Sequence, residues 1–254
     1  MVRSRPPALR MPYTISARGK APDEPILVFL GRNFGSVPIA KVDSVFGFVE
    51  QSTLYGGRPF NQPELVDQDV LDLYQVGVGL RLPLTNHYVT RAEYVENRPL
   101  LAKYHREGNA VITTNDDLTR WIREDFPKYR LEASVIRNIN SRAKVEEALA
   151  IYDTVVLPMN LNADTEFLGS LQHKERITLF ANAGCALTCP SKICYPSISK
   201  RNKYKGDVVQ CSRNLKEREM RGMVDFDLEP LQALGFSRFK LLRARKVGEL
   251  STGY

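Results

Sequence analysis

The sequence lacks the features that would place a protein in a membrane or mark it for secretion. No apolar run approaches the roughly 18 residues that a helix needs to cross a bilayer. Residues Met1–Pro25 contain no compact apolar stretch of the kind found in secretory signals. We therefore expect a soluble, cytoplasmic protein without a membrane span.

The motifs of common hydrolases are also missing. Histidine is scarce, with three in the whole chain. There is neither a Gly-x-Ser-x-Gly nucleophile elbow nor a His-Glu-x-x-His helix. A Ser–His–Asp triad is recognised by geometry rather than by spacing, so a peptidase stays an alternative that no motif supports.

What the chain has in excess is basic charge, with a net charge of +7. Met1–Pro25 is rich in arginine, proline and serine, which predicts a flexible basic arm. A second basic group lies among the cysteines and consists of Lys192, Lys200, Arg201, Lys203 and Lys205. Such a group is either solvated surface or an attraction for phosphates, so RNA or another polyanion is a candidate partner.

Short apolar runs alternate with amphipathic ones along most of the chain. Eight runs predict buried strands of a parallel sheet: Ile26–Leu30, Val45–Phe48, Val78–Leu82, Ala110–Thr113, Leu131–Val135, Thr154–Leu157, Ile177–Phe180 and Arg238–Leu242. Helices are predicted at Thr90–Arg106, Asp117–Phe126, Ser141–Tyr152 and Ala163–Gln172. This alternation predicts an α/β fold, a (β/α)8 TIM-like barrel over residues 26–245, followed by a tail over 246–254.

The predicted barrel departs from the ideal at its last strand. Too little chain follows Arg238–Leu242 for a full covering helix, so we expect that helix to be missing or very short. Phe239 and Leu241 would then expose an apolar patch. A homo- or hetero-oligomer would cover it.

The four cysteines of the chain lie close together in a loop over residues 182–211. They are Cys185, Cys189, Cys194 and Cys211, in the spacing Cys-x3-Cys-x4-Cys-x16-Cys. Cysteines that act as small hydrophobic residues would be scattered through the core, and disulfides are disfavoured inside cells. A metal site is the better explanation. The irregular spacing favours an iron–sulfur cluster, with zinc as the alternative.

The segment Asn182–Pro190, Asn-Ala-Gly-Cys-Ala-Leu-Thr-Cys-Pro, resembles a family signature. It is similar to the Asn-x-Gly-Cys-x-x-x-Cys-Pro motif of the collagenase-like peptidase family U-32. Glu132–Ile136 and Asp153–Leu157 resemble that family's fifth and sixth strands. The resemblance extends over roughly Ile26–Arg245.

Despite the family name, the resemblance implies activities other than proteolysis. Members include partner proteins for oxygen-independent hydroxylation in ubiquinone synthesis and factors that hydroxylate RNA bases, and some work as heterodimers of two similar barrels. Their cysteines hold a 4Fe–4S cluster, so the resemblance assigns the ligand role to Cys185, Cys189, Cys194 and Cys211. It implies an iron–sulfur enzyme or enzyme subunit that modifies an aromatic or nucleobase substrate. The alternative is a non-catalytic binding subunit whose metal only rigidifies the loop.

Polar residues at the predicted strand ends are candidates for contacts with a substrate. His87 and Arg137 are candidate catalytic residues, because histidine can donate a proton and arginine can bind a carboxylate or phosphate. The candidate substrate-binding residues are Arg58, Asn86, Asn115, Asp116, Asn138, Asn160 and Asn182. The competing interpretation is that Asn and Asp cap helices and form turns, and that His87 is merely hydrogen-bonded in its loop.

Overall fold

The computed structural model describes residues 12–189, 191–204, 207–213 and 223–243. Within these ranges eight parallel strands form a closed barrel. The strands are β1 (Tyr13–Ser16), β2 (Val42–Phe46), β3 (Gly79–Leu84), β4 (Ala110–Thr113), β5 (Arg130–Ala133), β6 (Thr154–Val156), β7 (Ile177–Phe180) and β10 (Arg238–Leu241). The two-residue strands β8 (Asn182–Ala183) and β9 (Val224–Asp225) pair with each other antiparallel. The expected (β/α)8 TIM-like barrel is confirmed.

Helices lie between the strands of the barrel. They are α1 (Ile26–Phe34), α2 (Asp67–Gln75), α3 (Arg91–Glu96), α4 (Arg98–Lys103), α5 (Asp116–Asp125), α6 (Arg142–Leu149), α7 (Thr165–Gly169), α8 (Cys194–Lys203) and α9 (Glu229–Ala233). A capping box begins α3: the Glu93 amide donates to Thr90 Oγ1 at 3.3 Å, and the Thr90 amide donates to the Glu93 carboxylate at 2.8 Å. The helix predicted over Thr90–Arg106 divides at Asn97, because Pro99 has no amide to donate and suits the first turn of a new helix.

The start of the barrel differs from the sequence prediction. The strand predicted at Ile26–Leu30 is wrong, since these residues begin α1 and bury apolar side chains at helical spacing. The first strand is Tyr13–Ser16, which lies within the segment expected to be a flexible arm. It closes the barrel by pairing with β2 on one side and β10 on the other. The expectation of an arm is therefore wrong for Tyr13–Ser16, and Met1–Met11 lie outside the described residues.

Alternation along the strands gives the barrel wall two different faces. Outward side chains such as Leu80, Leu131 and Ile177 belong to the main apolar core beneath the helices. On the inside, Arg81 of β3 and Glu132 of β5 form a fully buried ion pair with an N–O distance of 2.8 Å. Barrel interiors are usually filled by branched apolar residues, so this polar layer is a departure from the common pattern.

The last strand is covered within the chain itself. Phe239 is 0% exposed, and its ring centroid lies 6.2 Å from that of Tyr13 in β1. The expectation that Phe239 is left bare is therefore wrong, and the oligomer stays a prediction without that support. The place of the last helix falls outside the described residues, which end at Arg243. None of the described helices combines the length and apolar character that crossing a bilayer requires.

Candidate metal centre and barrel pocket

A pocket with a volume of about 190 Å³ opens at the carboxyl-terminal end of the barrel, where the active sites of TIM barrels lie. Its floor is formed by side chains that point into the barrel one level above the polar layer. They are Phe46, Pro83, Ile112, Phe180 and Lys240. Pro83, for example, stands two positions after Arg81, and this spacing keeps both side chains on the inner face.

The cysteine loop forms one side of this pocket. Cys185, Cys189 and Cys194 all line it, and each is half-buried. Cys185 begins a short 3-10 turn shortly after β7, and Cys194 is the first residue of α8. The loop that follows the seventh barrel strand therefore brings three of the four cysteines to one cavity, as a site on this end of the barrel requires.

Contacts on both sides of Cys211 hold its segment beside the other cysteines. The hydroxyl of Ser212 lies 3.5 Å from the Sγ atom of Cys189. The amide of Gln210 donates to Ser197 Oγ at 3.0 Å, and the Ser197 hydroxyl donates to the carbonyl of Cys194 at 3.1 Å. The four cysteines thus belong to one group of adjoining segments.

Cys189 has surroundings that favour the thiolate, which is the form that binds metals. Burial alone would raise the pKa of its thiol. Hydrogen bonds from the Ser212 hydroxyl and from the amides of Lys192 and Ser191, together with the charge of Arg213, outweigh burial and lower the pKa. The Lys192 amide donates to Sγ at 3.4 Å.

The donor set fits a thiolate-bound cofactor in kind, because cysteine sulfur is the ligand of both iron–sulfur clusters and structural zinc. In the part of the chain that the structure describes, no group of three or more His, Cys, Asp or Glu side chains is arranged to hold a metal ion. The cofactor therefore stays a prediction, supported by the identity and placement of the cysteines.

Arg58 reaches the pocket from the loop after β2. Its guanidinium forms a two-pronged ion pair with Glu64 and lies 4.3 Å from the centroid of the Phe48 ring. The loop requires glycine at position 56, because a Cβ on Gly56 would lie 2.2 Å from the carbonyl oxygen of Thr85. Gly56 therefore lets this loop pack directly against the backbone at the end of β3. This packing places Arg58 at the pocket wall.

His87 and Asn86 contact α8 and are not among the residues that line the pocket. The Asn86 side chain donates to the carbonyls of Ser199 and Thr53, both at 2.9 Å. His87 Nδ1 lies 3.0 Å from Ser199 Oγ, and burial lowers the pKa of the imidazole. Ser199 is 0% exposed, so this Ser–His pair is closed to a substrate and has no geometry for nucleophilic attack.

Arg137 and Asp116 bind each other behind the carboxyl-terminal end of the barrel. Their N–O distance is 2.7 Å, and Arg137 also donates to the carbonyl of Thr114 at 2.7 Å. Asp116 accepts a further hydrogen bond from the hydroxyl of Tyr152 at 2.9 Å. These contacts connect the loops after β4 and β5 with the end of α6, and neither charged residue lines the pocket.

Of the remaining candidate asparagines, Asn115, Asn138 and Asn182 have backbone roles. Asn115 caps α5 by accepting from the Leu118 amide at 2.9 Å. Asn138 ends a 3-10 turn with a φ of 52°, and Asn160 is exposed. Asn182 donates to the Leu242 carbonyl at 2.8 Å and accepts from its amide at 2.9 Å. Substrate binding by these residues stays a prediction that no contact in the structure supports.

Sequence reasoning missed two cationic residues that line the pocket, Arg18 and Lys240. For Lys240 a signal was present in β10, where charged and apolar residues alternate along Arg238–Leu241. Helices cover the outer face of a barrel strand, so the apolar residues of this strand are expected to face outward. Its charged residues, Arg238 and Lys240, are then expected to point into the barrel.

Comparison with solved structures agrees with the observed fold. The chain is similar to a solved U32 peptidase structure, with a TM-score of 0.63 over 96% of each chain and 12% sequence identity. A likeness at this identity shows the fold alone. The resemblance to the U-32 family noted at Asn182–Pro190 is thus supported at the level of the barrel. Neither the family models nor the curated proteins give a match to this sequence.

Proposed function

We propose that the chain holds a 4Fe–4S cluster on Cys185, Cys189, Cys194 and Cys211 and acts as an enzyme, or an enzyme subunit, in redox modification. Oxygen-independent hydroxylation of an aromatic or nucleobase substrate is the reaction that the family resemblance implies. The observation that supports this proposal is the convergence of three cysteines on one pocket at the catalytic end of the barrel. When bound, the cluster would supply electron transfer.

The residues around the cysteines have separate tasks in this proposal. The Lys192 amide and the Ser212 hydroxyl stabilise the thiolate of Cys189. Asn86 and His87 fix α8 against the loop after β3, and with it the segment that begins at Cys194. The apolar floor of the pocket excludes water from a bound substrate.

The alternatives lack comparable support. A binding subunit with structural zinc would use the same cysteines, but it leaves the pocket beside them without a purpose. Peptidase activity appears in the name of the structural neighbour. Here the Ser199–His87 pair is the contact that most resembles a nucleophile and its base, and Ser199 is buried.

Metal analysis of protein purified without oxygen tests the proposal. We expect brown protein with iron and acid-labile sulfide in similar amounts, because four thiolates suit a cubane cluster. Cys185→Ala and Cys189→Ala should each abolish the visible absorption. Ser191→Ala is the matched control, since it changes the same loop without removing a sulfur. Stoichiometric zinc without sulfide would contradict the cluster.

A further inference from the structure

Lys240 is a charged residue at the floor of the pocket. Its side chain points into the barrel from β10, opposite to Phe239, and the residue is 6% exposed. The ammonium nitrogen lies 4.4 Å from the centroid of the Phe46 ring, which also lines the cavity. Burial, with Arg81 and Arg58 nearby, lowers the pKa of Lys240 to about 8 against the attraction of Glu132. The amine therefore remains mainly protonated at neutral pH.

Lys240 differs from two other lysines with buried side chains, Lys20 and Lys203, in having no carboxylate partner among the described residues. Lys20 binds Asp69 at 2.8 Å, and Lys203 binds Glu93 at 2.8 Å. Among the described residues, no hydrogen-bond acceptor or carboxylate lies within bonding distance of Lys240 Nζ. Glu132 attracts it from the layer below, but the ion pair that Glu132 forms is with Arg81, at 2.8 Å. A buried cation without a partner is costly, which indicates that a ligand supplies the missing charge.

The cavity has room for a small ligand beside Lys240. Its volume of about 190 Å³ is only slightly larger than the roughly 150 Å³ cavity known to hold a benzene molecule. The floor around Lys240 is apolar, with Phe46, Ile112 and Phe180 facing the same space, and none of the described residues that line the pocket is acidic. Arg58 in the pocket wall is already neutralised by Glu64, and Lys240 is the charged residue among the five that form the floor.

We propose that the pocket binds a small monocarboxylic acid with a single apolar ring, whose carboxylate is held by Lys240 Nζ while the ring packs between Phe46 and Phe180. The inference deepens the proposed function, because it names a substrate class for the pocket beside the cysteines. It nevertheless rests on Lys240 and the cavity alone.

Titration calorimetry with benzoate, and with benzamide as its uncharged analogue, tests this proposal on the full-length protein. Benzoate should bind in roughly the micromolar to millimolar range expected for so small a ligand. Benzamide should bind at least about tenfold more weakly, since a hydrogen bond between charged groups is lost. Lys240→Met should weaken benzoate by a similar factor and leave benzamide unchanged. Lys41→Met is the control at an exposed lysine and should change neither.

The wild-type comparison keeps the test decisive even if Lys240→Met does not fold. Equal affinity for benzoate and benzamide, or no binding of benzoate at millimolar concentration, would overturn the proposal. Metal analysis and the same titration on one wild-type preparation separate this inference from the proposed function. Benzoate binding by wild-type protein that holds zinc and no sulfide would leave the ligand assignment standing while the cluster proposal fails.

Discussion

The interior of the barrel has two levels that treat buried charge differently. At the lower level, Arg81 binds Glu132 at 2.8 Å and Asp43 at 2.9 Å, and Asp43 is shared with Arg130 and Arg238, so each guanidinium there has a carboxylate partner. At the upper level, Lys240 has an aromatic ring at 4.4 Å and no carboxylate within bonding distance among the described residues. Compensated charge serves the fold, whereas uncompensated charge at the floor of a cavity points to a ligand.

The compensated level is extended by hydroxyl groups. Thr154 and Thr178 donate to Glu132 Oε2 at 3.1 Å and 3.2 Å, and Arg81 Nε donates to Ser44 at 2.9 Å. Buried ion pairs need such additional bonds to offset the cost of removing both charges from water, and here Glu132 Oε1 and Arg81 Nη1 still lack a hydrogen-bond partner among the described residues. The stability of the lower level therefore depends on each residue of the network, and removal of one charge should lower the free energy of unfolding strongly.

The largest expected effect is that of Arg81→Met, which breaks the lower level. It leaves Glu132 buried and without its main partner, so we expect a loss of about 3–5 kcal/mol in the free energy of unfolding. Chemical denaturation measures this loss. The matched control is Arg32→Met, which removes an exposed pair with Glu24 and should cost at most about 1 kcal/mol.

The double variant Arg81→Met/Glu132→Leu sharpens the same prediction. If the cost arises from an uncompensated carboxylate, replacing both partners by apolar side chains should recover much of the stability. A double variant less stable than Arg81→Met would mean that the pair itself, rather than the stranded charge, holds the barrel together. That outcome would contradict the distinction between the two levels.

The second effect is a dependence of stability on acid. Burial alone would raise the pKa of Glu132, but Arg81, Lys240, Arg238 and the hydroxyl of Thr154 lower it to about 2. A carboxylate with a lowered pKa in the folded state stabilises the protein above its unfolded pKa. This stability is lost as the pH falls from about 4.5 toward 2.

Unfolding measured between pH 6 and pH 2 on the wild type and Glu132→Gln tests this dependence. The wild type should lose stability through that window, and the difference between the two proteins should shrink as the pH falls, because the side-chain amide of the variant does not titrate there. Parallel losses in both proteins would assign the acid sensitivity to other carboxylates.

The sequence predicted the barrel better than it predicted the pocket, and the reason is physical. Ala110–Thr113 and Ile177–Phe180 match the observed strands residue for residue, since strands buried on both faces of a parallel sheet are near-continuous apolar runs. Ile26–Leu30 is equally apolar but forms a helix, since a short apolar run does not distinguish the two structures. The strand Tyr13–Ser16 was not predicted, because every second residue in it is polar and because it lies within a segment rich in basic residues.

The parts of the candidate site that could be predicted are those whose residue type alone indicates the chemistry. Residues whose role depends on their surroundings in the fold could not be predicted. Cysteine is rare enough that Cys185, Cys189 and Cys194 could be placed together by their spacing. Asparagine at a strand end caps a helix as readily as it binds a substrate, and Asn115 does the former. Lys240 could be recognised as a candidate ligand-binding residue only from the cavity that it lines and from its lack of an ion-pair partner among the described residues.

The smallest expected effect extends the comparison of paired and unpaired cations to the surface of α8, whose basic residues make RNA or another polyanion a candidate partner. Lys203 is occupied, because it binds Glu93 at 2.8 Å and the carbonyl of Tyr88. Arg201 is exposed and makes no ion pair with the described residues, and Lys205 lies outside them.

If RNA binds this surface, Arg201→Ala should lower the slope of log affinity against log salt by about 0.7, the value for one contact with a single strand. Lys203→Ala should change the slope less, because its charge is already neutralised by Glu93. Filter binding at several salt concentrations measures both. Equal changes for the two variants would show that the ion pair of Lys203 with Glu93 does not keep Lys203 from binding phosphate. Binding that is insensitive to salt would exclude RNA as a partner of α8.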